Sequence, residues 1–262
     1  MFLEEMFSLK DKVVVVTGGS SGIGMMMAEG FLQAGARVVI TSRKEAQCQE
    51  AAAALSAFGP CRYLAANVAR AEDRQALVDS LRDNEGRVDV LVNNAGTAWS
   101  APIDNYPDEA FRKVMELNVD AVFALTRDLL PLLGVGAGPD SPSRVINIGS
   151  KDGLHVSVTH EDPTFAYGAS KAAVHHLTRY LAVDLAKRHI LVNGIAPGYF
   201  PSKMTKPLFE SGAGLEQLKK HCPLGRTGEP KEIMGLAIYL ASAASTYTTG
   251  EVIVADGGYH LS

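Results

Sequence analysis

The chain has 262 residues, of which 47% are apolar and 21% are charged, and its formal net charge is −4. These proportions are typical of a folded, soluble globular protein. Because acidic and basic residues are mixed along the chain, they form neither the basic stripe of a nucleic-acid-binding protein nor a polybasic membrane anchor. No nucleic-acid or membrane partner is therefore expected.

The first residues, MFLEEMFSLKDK, contain early glutamates and no long apolar stretch. They predict neither a secretory signal nor a membrane-spanning helix. The cysteines Cys48, Cys61 and Cys222 are widely spaced and lack metal-ligand spacing. They are expected to be free thiols in a reducing compartment, which makes the cytoplasm the expected location.

Short runs rich in Val and Ile alternate with longer segments of helical periodicity. In chain order, the expected strands are 13–17, 37–42, 61–68 (the weakest), 88–93, 144–150, 190–196 and 251–257. The expected helices are 22–35, 44–58, 71–85, 108–133 and 167–189. Strands that are apolar on both faces and alternate with helices predict a mainly parallel sheet covered on both sides. The predicted fold class is α/β, with a single doubly wound Rossmann domain over 1–262 and about seven strands.

Two stretches fit this alternation poorly. Residues 134–143, GVGAGPDSPS, are expected to form a surface loop, and residues 199–228 an irregular insertion before the final helix and strand. The insertion follows a late strand, at the edge where ligands of such sheets bind. We therefore interpret 199–228 as a substrate loop that covers the site.

A glycine-rich turn follows the first strand in VVVVTGGSSGIG. Gly18, Gly22 and Gly24 have the spacing G-x-x-x-G-x-G. Glycine at these positions allows a sharp turn and a close approach of the backbone to a pyrophosphate, which the amides of the following helix then bind. A purely structural turn is the alternative, but the strand–turn–helix context favours a dinucleotide.

The end of the second strand, ITSRK, contains Ser42, Arg43 and Lys44 and no carboxylate. A carboxylate there would bind the adenosine ribose and repel a 2′-phosphate. Arg43 can instead form charged hydrogen bonds with that phosphate, which favours NADP over NAD. The alternative is that Arg43 begins the next helix in solvent.

Tyr167 and Lys171 are separated by one helical turn in YGASK, so their functional groups can converge. Taken alone, they are more simply explained as ordinary residues on an amphipathic surface. Ser150, at the end of a strand, could hydrogen-bond a substrate oxygen or simply cap a turn.

Several motifs in order make the chain resemble the short-chain dehydrogenase/reductase family over essentially its whole length. They are TGGSSGIG at 17–24, NNAG at 93–96, Asn118 in LNV, Ser150 in INIGS, YGASK at 167–171 and PGYFPS at 197–202. The resemblance implies hydride transfer between a nicotinamide and a carbonyl or alcohol carbon. Within the family, the chain looks most like the NADPH-dependent β-ketoacyl reductases associated with rhamnolipid synthesis.

The resemblance implies a role for each of four catalytic residues. Tyr167 is the acid/base, and the Lys171 cation is expected to lower its pKa from about 10. Lys171 also hydrogen-bonds the nicotinamide ribose. Ser150 steadies charge on the substrate oxygen, and the Asn118 backbone carbonyl, inside the long helix from 108, holds a water that links Lys171 to solvent.

The family pattern also implies the residues that bind NADP. They are Gly18, Ser20, Ser21, Gly22, Ile23, Gly24, Ser42, Arg43, Asn67, Val68, Asn94, Ala95, Gly96, Tyr167, Lys171, Pro197, Gly198, Phe200 and Ser202. NNAG would pass beneath the adenine ribose, although Asn93 could equally brace neighbouring strands. Asn67 stands where the family commonly has Asp, and Ser202 where it has Thr.

Some features leave alternatives open. The Ser150–Tyr167 gap is longer than is usual in the family, which leaves the shape of the substrate pocket undetermined. An alcohol or sugar dehydrogenase and a non-catalytic NADP sensor remain alternatives, although a sensor needs no acid/base. No metal site is expected among His155, His160, His175 and His176, because adjacent histidines on a helix diverge. The resemblance suggests a homotetramer or homodimer.

Overall fold

A seven-stranded parallel sheet runs through the computed structural model, which describes residues 2–156, 163–202, 205 and 212–262. The strands are β1 Val13–Thr17, β2 Arg37–Ser42, β3 Cys61–Ala65, β4 Val90–Asn93, β5 Ser143–Ile148, β6 Ile190–Pro197 and β7 Val252–Ala255. Their spatial order is β3-β2-β1-β4-β5-β6-β7, and every neighbouring pair is parallel. The predicted doubly wound α/β fold is thereby confirmed.

Helices cover both faces of this sheet. They are α1 Phe2–Phe7, α2 Gly22–Gln33, α3 Glu45–Leu55, α4 Ala71–Asn84, α5 Asp108–Met115, α6 Ala121–Leu133, α7 Phe165–Leu185, α8 Gly212–His221 and α9 Pro230–Ala241. In the described part of the chain, none of them combines the length and the apolar character needed to cross a bilayer.

The Val-rich β1 shows why both faces must be covered. Successive strand residues point to opposite faces. Val14 and Val16 join a buried cluster with Phe31 of α2 and Ile233 of α9, whereas Val15 joins a second cluster, on the other face, that includes residues of α4, α6 and α7. A continuous apolar run therefore serves two cores, as expected of a parallel strand covered on both sides.

The strand order reverses between β1 and β4, because the chain first builds outward through β2 and β3 and then returns. The loops after the two strands therefore separate and leave a crevice at the carboxyl edge of the sheet. The glycine turn after β1, the NNAG segment after β4 and the Ser150 turn after β5 all lie at this edge.

Two predicted segments differ from the structure. The helix expected over 108–133 is interrupted by a π-helical turn at Glu116–Asp120. Residues 199–228, expected to be irregular, contain α8, while 203, 204 and 206–211 lie outside the described residues. The short α1 was also not predicted, because its six residues are fewer than periodicity can resolve.

Candidate active site

The glycine turn between β1 and α2 forms a narrow cradle. Gly18 and Gly22 have φ values of +65° and +57°, in the left-handed region that glycine tolerates best. A Cβ on Gly24 would lie 2.5 Å from the Gly18 carbonyl oxygen, so a side chain there would fill the cradle. Ser21, at the start of α2, makes no side-chain capping bond. The first amides of α2 are therefore available to a phosphate.

The NNAG segment holds this turn in place. Asn94 donates from its side chain to the Thr17 carbonyl oxygen at 2.9 Å. The backbone N–H groups of Asn94 and Ala95 both donate to Thr17 Oγ1, each at 2.9 Å. Gly96 follows, and a Cβ on it would lie 3.3 Å from Asn118 Oδ1. The segment predicted to bind the adenine ribose thus also fixes the geometry of the cradle.

The Asn93 side chain connects neighbouring strands, which is the alternative role that the sequence suggested for it. Its side-chain amide donates to Thr126 Oγ1 at 3.0 Å and to Asn147 Oδ1 at 2.9 Å. Asn147 in turn donates to Thr178 Oγ1 at 3.0 Å. Buried polar groups must be paired, and this chain of bonds pairs β4 and β5 with α6 and α7.

The end of β2 presents a serine pair and an exposed arginine. Ser20 Oγ donates to Ser42 Oγ at 2.9 Å, which connects the glycine turn to β2. Ser42 Oγ also lies 2.9 Å from Cys48 Sγ. Arg43 is exposed next to them, and no hydrogen bond or ion pair to another described residue holds its guanidinium. That guanidinium is free to bind an anion at this edge.

Asn67 and Val68 follow β3 at the same edge of the sheet. The Asn67 backbone N–H donates to Asp73 Oδ2 at 2.8 Å, and Asn67 Oδ1 accepts from Ala69 N at 3.3 Å. Val68 is buried. The turn is thus held by its own hydrogen bonds, with the Asn67 side chain partly exposed.

The loop after β6 closes the crevice from the opposite side. A Cβ on Gly198 would lie 2.6 Å from Asp256 Cβ, so only glycine allows the segments after β6 and β7 to come so close. Phe200 is buried. Ser202 Cβ would lie 3.1 Å from a Cβ on Gly22, so the PGYFPS loop, which begins at Pro197, reaches the glycine turn.

Ser150, Tyr167 and Lys171 come together at the middle of this edge. The Ser150 side chain hydrogen-bonds the Tyr167 hydroxyl and accepts from Asp152 N at 3.1 Å. Lys171 is buried, with Nζ 5.5 Å from the centroid of the Tyr167 ring. Its ammonium donates to the Ile148 carbonyl oxygen at 2.8 Å. A hydroxyl pair and a cation therefore share one small space.

The environment of Tyr167 changes the pKa of its hydroxyl. Burial raises the pKa of Tyr167 to about 12, the Ser150 hydrogen bond opposes this, and Asp152 and Tyr199 add to it. Burial also lowers the pKa of Lys171 to about 8. Without a bound cofactor, desolvation therefore dominates, while the Lys171 ammonium is held by the Ile148 carbonyl oxygen. That Lys171 lowers the tyrosine pKa during the reaction stays a prediction. Tyr167 is held protonated and suited to donate a proton.

Asn118 lies in the π-helical turn and not inside a regular helix. Its side-chain amide donates to the Thr97 carbonyl oxygen and to Ser170 Oγ, both at 2.9 Å, and its Oδ1 accepts from Thr97 N at 2.9 Å. Ser170 Oγ donates to the Tyr167 carbonyl oxygen at 2.7 Å. Single π turns are frequent at functional sites, and this one joins the NNAG segment to α7.

His175 is a buried neighbour of the site that the sequence did not reveal. Its Nε2 accepts from Ser150 N at 3.4 Å, and a Cβ on Gly149 would collide with its ring. Burial lowers the pKa of His175 to about 4, and Lys171 and Arg179 contribute. The sequence spacing could have indicated this: Tyr167, Lys171 and His175 follow one another at intervals of four residues, which places all three on one helix face.

No metal centre is apparent among the described residues, where no group of three or more His, Cys, Asp or Glu side chains could hold an ion. His176 is exposed and stacks edge-on against Tyr180. His160, one of the histidines considered above, lies outside the described residues.

The fold and the site by themselves define a class of protein. A doubly wound sheet with a glycine cradle at its strand-order reversal, and a Ser–Tyr–Lys group beside it, is the arrangement of a dinucleotide-binding oxidoreductase. The family model described as Enoyl-(Acyl carrier protein) reductase matches residues 18–260. The chain belongs to the short-chain dehydrogenase/reductase family, which confirms the resemblance read from the sequence.

Individual relatives cover nearly the whole chain. The rhamnolipids biosynthesis 3-oxoacyl-[acyl-carrier-protein] reductase of Pseudomonas aeruginosa is 46% identical over 97% of this chain and 98% of its own. The 5-keto-D-gluconate 5-reductase of Escherichia coli is 36% identical over 98% of both chains. Among solved structures, the P. aeruginosa RhlG/NADP active-site complex has a TM-score of 0.94 at 46% identity, with 98% of this chain and 99% of that one covered.

Proposed function

We propose that the protein is an NADP(H)-dependent carbonyl reductase that acts on a 3-oxoacyl thioester or a related ketone. The observation that carries the proposal is the Ser150–Tyr167 hydrogen bond beside the buried Lys171, at the edge of the sheet where the glycine cradle opens. The thioester is favoured because the relative named as a 3-oxoacyl-[acyl-carrier-protein] reductase is 46% identical over almost the full length.

The residues of the cradle fit a bound dinucleotide. Gly18, Gly22 and Gly24 leave space that any Cβ would reduce, and the first amides of α2 face it as phosphate ligands. Arg43 would hold the 2′-phosphate through charged hydrogen bonds. Tyr167, Lys171 and the PGYFPS loop would position the nicotinamide end. When bound, the nicotinamide ring would supply the hydride.

The chain's own side chains supply the rest of the reduction. Ser150 Oγ and the Tyr167 hydroxyl would both hydrogen-bond the carbonyl oxygen and stabilise the negative charge that develops on it. Tyr167 then donates its proton to that oxygen. Lys171, next to the resulting phenolate, favours the charged form that burial alone disfavours. The Lys171 ammonium would then give a proton back to the Tyr167 phenolate, and the Asn118 carbonyl in the π turn is proposed to hold the water that returns a proton to Lys171.

A sugar or alcohol substrate is the second candidate for the same site. It is favoured by the relative named 5-keto-D-gluconate 5-reductase, at 36% identity. The reaction would again transfer a hydride at a carbonyl or alcohol carbon, so only the substrate differs. A non-catalytic NADP sensor is less well supported, since Ser150, Tyr167 and Lys171 are all present and assembled.

Replacing Tyr167 by Phe tests the proposed chemistry. The variant keeps the ring but cannot donate a proton, so turnover of NADPH with a 3-oxoacyl thioester should fall by about 10² to 10⁴-fold. Its affinity for NADPH, measured by cofactor fluorescence, should remain near that of the wild type. Ring-preserving substitution of the exposed Tyr180 by Phe is the matched control.

The outcomes separate the candidates. Wild-type turnover of polyols or keto-sugars, with none of thioesters, would favour the second candidate. NADPH binding without turnover across acyl, cyclic and sugar ketones would favour a sensor and contradict the enzyme.

Two features around the site extend the proposal. Residues 199–228, which include α8, are proposed to cover the substrate, since Phe200 and Ser202 place their start against the crevice. The protein is also proposed to form a homotetramer or homodimer, since apolar side chains are exposed on α5, α6 and α7. They are Phe111, Phe123, Tyr180 and Val183. Sedimentation of the purified protein measures the assembly.

The cysteines support the cytoplasm as the proposed location. Cys48, Cys61 and Cys222 are all free thiols, which is the state maintained by a reducing compartment. Cell fractionation tests this placement.

A further inference from the structure

Lys151 is a buried lysine directly after Ser150, and the reaction outlined above makes no use of it. Its side chain is only 3% exposed. Burying an ammonium is costly unless partners replace its water. The partners of Lys151 therefore indicate what the residue does.

Three segments of the chain supply those partners. Lys151 Nζ lies 2.7 Å from Asp152 Oδ1 in an ion pair. It also lies 4.7 Å from the centroid of the Tyr199 ring and 4.4 Å from that of the Tyr259 ring, both within cation–π range. The two rings meet edge to face with their centroids 5.3 Å apart. One ammonium thus connects the Ser150 turn, the loop after β6 and the turn after β7.

The turn after β7 presents Tyr259 in a fixed position. Gly257 and Gly258, with φ values of +67° and +86°, allow the chain to reverse there. Asp256 holds the reversed segment, since its carboxylate accepts from Gly258 N at 2.9 Å and from His260 N at 2.8 Å. Tyr259 itself is buried. The Tyr259 ring is therefore held in a fixed position against the Lys151 ammonium.

The Ser150 turn is the part of the site that depends on this anchor. Ser150 Oγ accepts from the backbone N–H of Asp152. The carboxylate of the same Asp152 pairs with the Lys151 ammonium, so Asp152 links the lysine to the serine. Asp152 also faces Tyr167 and raises the pKa of its hydroxyl. The ammonium next to Asp152 offsets part of that negative charge.

We propose that Lys151 is a positioning residue, which fastens the Ser150 turn to Tyr199 and Tyr259 and so aligns Ser150 with the substrate oxygen. This role deepens the carbonyl reductase function proposed above and rests on it. It also makes the segment after β7, which carries Tyr259, part of the catalytic architecture.

The test replaces Lys151 by Met, which keeps the apolar stem and removes the charge. We expect kcat with a 3-oxoacyl thioester to fall about 10- to 100-fold, because small misplacements of catalytic groups have effects of that size. The Kd for NADPH should change less than about twofold, since the cradle lies elsewhere. Lys12→Met, at the opposite edge of the sheet in an ion pair with Asp89, is the matched control and should leave kcat unchanged.

A second variant tests the connection to Tyr259. Tyr259→Leu should lower kcat in the wild-type background and have little further effect in Lys151→Met, because residues that act as a unit are not additive. Lys151→Arg should restore much of the lost kcat, since the charge and the ring contacts can be kept. Wild-type kcat in both Lys151→Met and Tyr259→Leu, or additive effects in the double variant, would overturn the proposal.

Hydrogen exchange separates failure of this inference from failure of the proposed function. Lys151→Met should accelerate amide exchange in peptides covering both 150–155 and 256–262, relative to Lys12→Met. This measurement needs no substrate, so it tests the anchor even if no ketone is turned over. Faster exchange at 150–155 alone would also overturn the proposal, because it would show no connection to Tyr259.

Discussion

Arg43 is the side chain at which the choice of cofactor is open to direct test. It is exposed at the end of β2, where the adenosine ribose of a dinucleotide in the cradle would lie. Arg43→Asp removes a guanidinium that would bind the 2′-phosphate of NADPH. It introduces a carboxylate that would bind the ribose hydroxyls of NADH and repel that phosphate. We expect kcat/KM for NADPH to fall about 10- to 100-fold and that for NADH to rise, because charged hydrogen bonds contribute about 1.5–3 kcal/mol.

The control is Arg188→Asp, an identical change of charge at an exposed position before β6, on the opposite edge of the sheet. It should leave the ratio of the two cofactors unchanged. If Arg43→Asp behaves in the same way as this control, Arg43 does not contact the 2′-phosphate.

Tyr167 shows how far a residue's environment can change its chemistry. Sequence spacing brings Lys171 within one turn of it, but burial raises the tyrosine pKa to about 12, and the Lys171 ammonium donates to the Ile148 carbonyl oxygen. A neutral tyrosine is the proton donor that carbonyl reduction requires.

At the scale of elements, the glycine turn between β1 and α2 provides a strong test. Gly24→Ala would place a methyl group against the Gly18 carbonyl oxygen and the Asn94 amide, both of which the turn needs. Overpacking costs about 1–3 kcal/mol, so we expect the Kd for NADPH, measured by fluorescence titration, to rise about tenfold or more.

Gly235→Ala in α9 is the matched control. Nothing lies within 4 Å of a Cβ at this helix position, so the change should increase the free energy of unfolding by about 0.5–1 kcal/mol. Its NADPH affinity should equal that of the wild type. Unchanged affinity in Gly24→Ala would mean that the cradle does not approach the phosphates.

The interrupted helix at Glu116–Asp120 is also an element-scale result. The π turn at Glu116–Asp120 is itself helical and joins α5 directly to α6, so the sequence predicted one helix over 108–133 and did not show the interruption. Only the contacts of Asn118 with Thr97 and Ser170 show why the turn widens there.

At the scale of the whole molecule, His175 is expected to affect the pH dependence of folding. Its pKa is lowered from 6.5 to about 4 in the folded protein. Between these two pH values, His175 therefore binds a proton more readily in the unfolded chain than in the folded protein. The stabilisation from neutral His175 is therefore complete above about pH 6.5 and is lost as the pH falls toward 4. Urea unfolding between these values should show decreasing stability on acidification.

His175→Gln removes this titration and keeps an oxygen that can accept from Ser150 N. Its unfolding free energy should depend less on pH over the same interval than that of the wild type. His176→Gln, the exposed neighbour, should retain the wild-type dependence. Equal pH dependence in all three proteins would show that His175 is not buried as a neutral ring.

The sequence by itself determined the strands, their alternation with helices and the chemistry-bearing motifs. Val-rich runs and glycine spacing report local preferences, and the parallel doubly wound order follows from them because few topologies satisfy the rules for such connections. Strand ends differ from prediction by only a few residues, as at β4, which begins at Val90 rather than 88.

Tertiary structure alone decided which distant groups meet and what charge they carry. Lys151 contacts Tyr199 and Tyr259 because three loops pack at one edge of the sheet, and no periodicity links such positions in advance. The raised pKa of Tyr167 likewise depends on its burial. Contacts and desolvation are properties of the packed molecule, since they depend on residues far apart in the chain, whereas the motifs are read from neighbours.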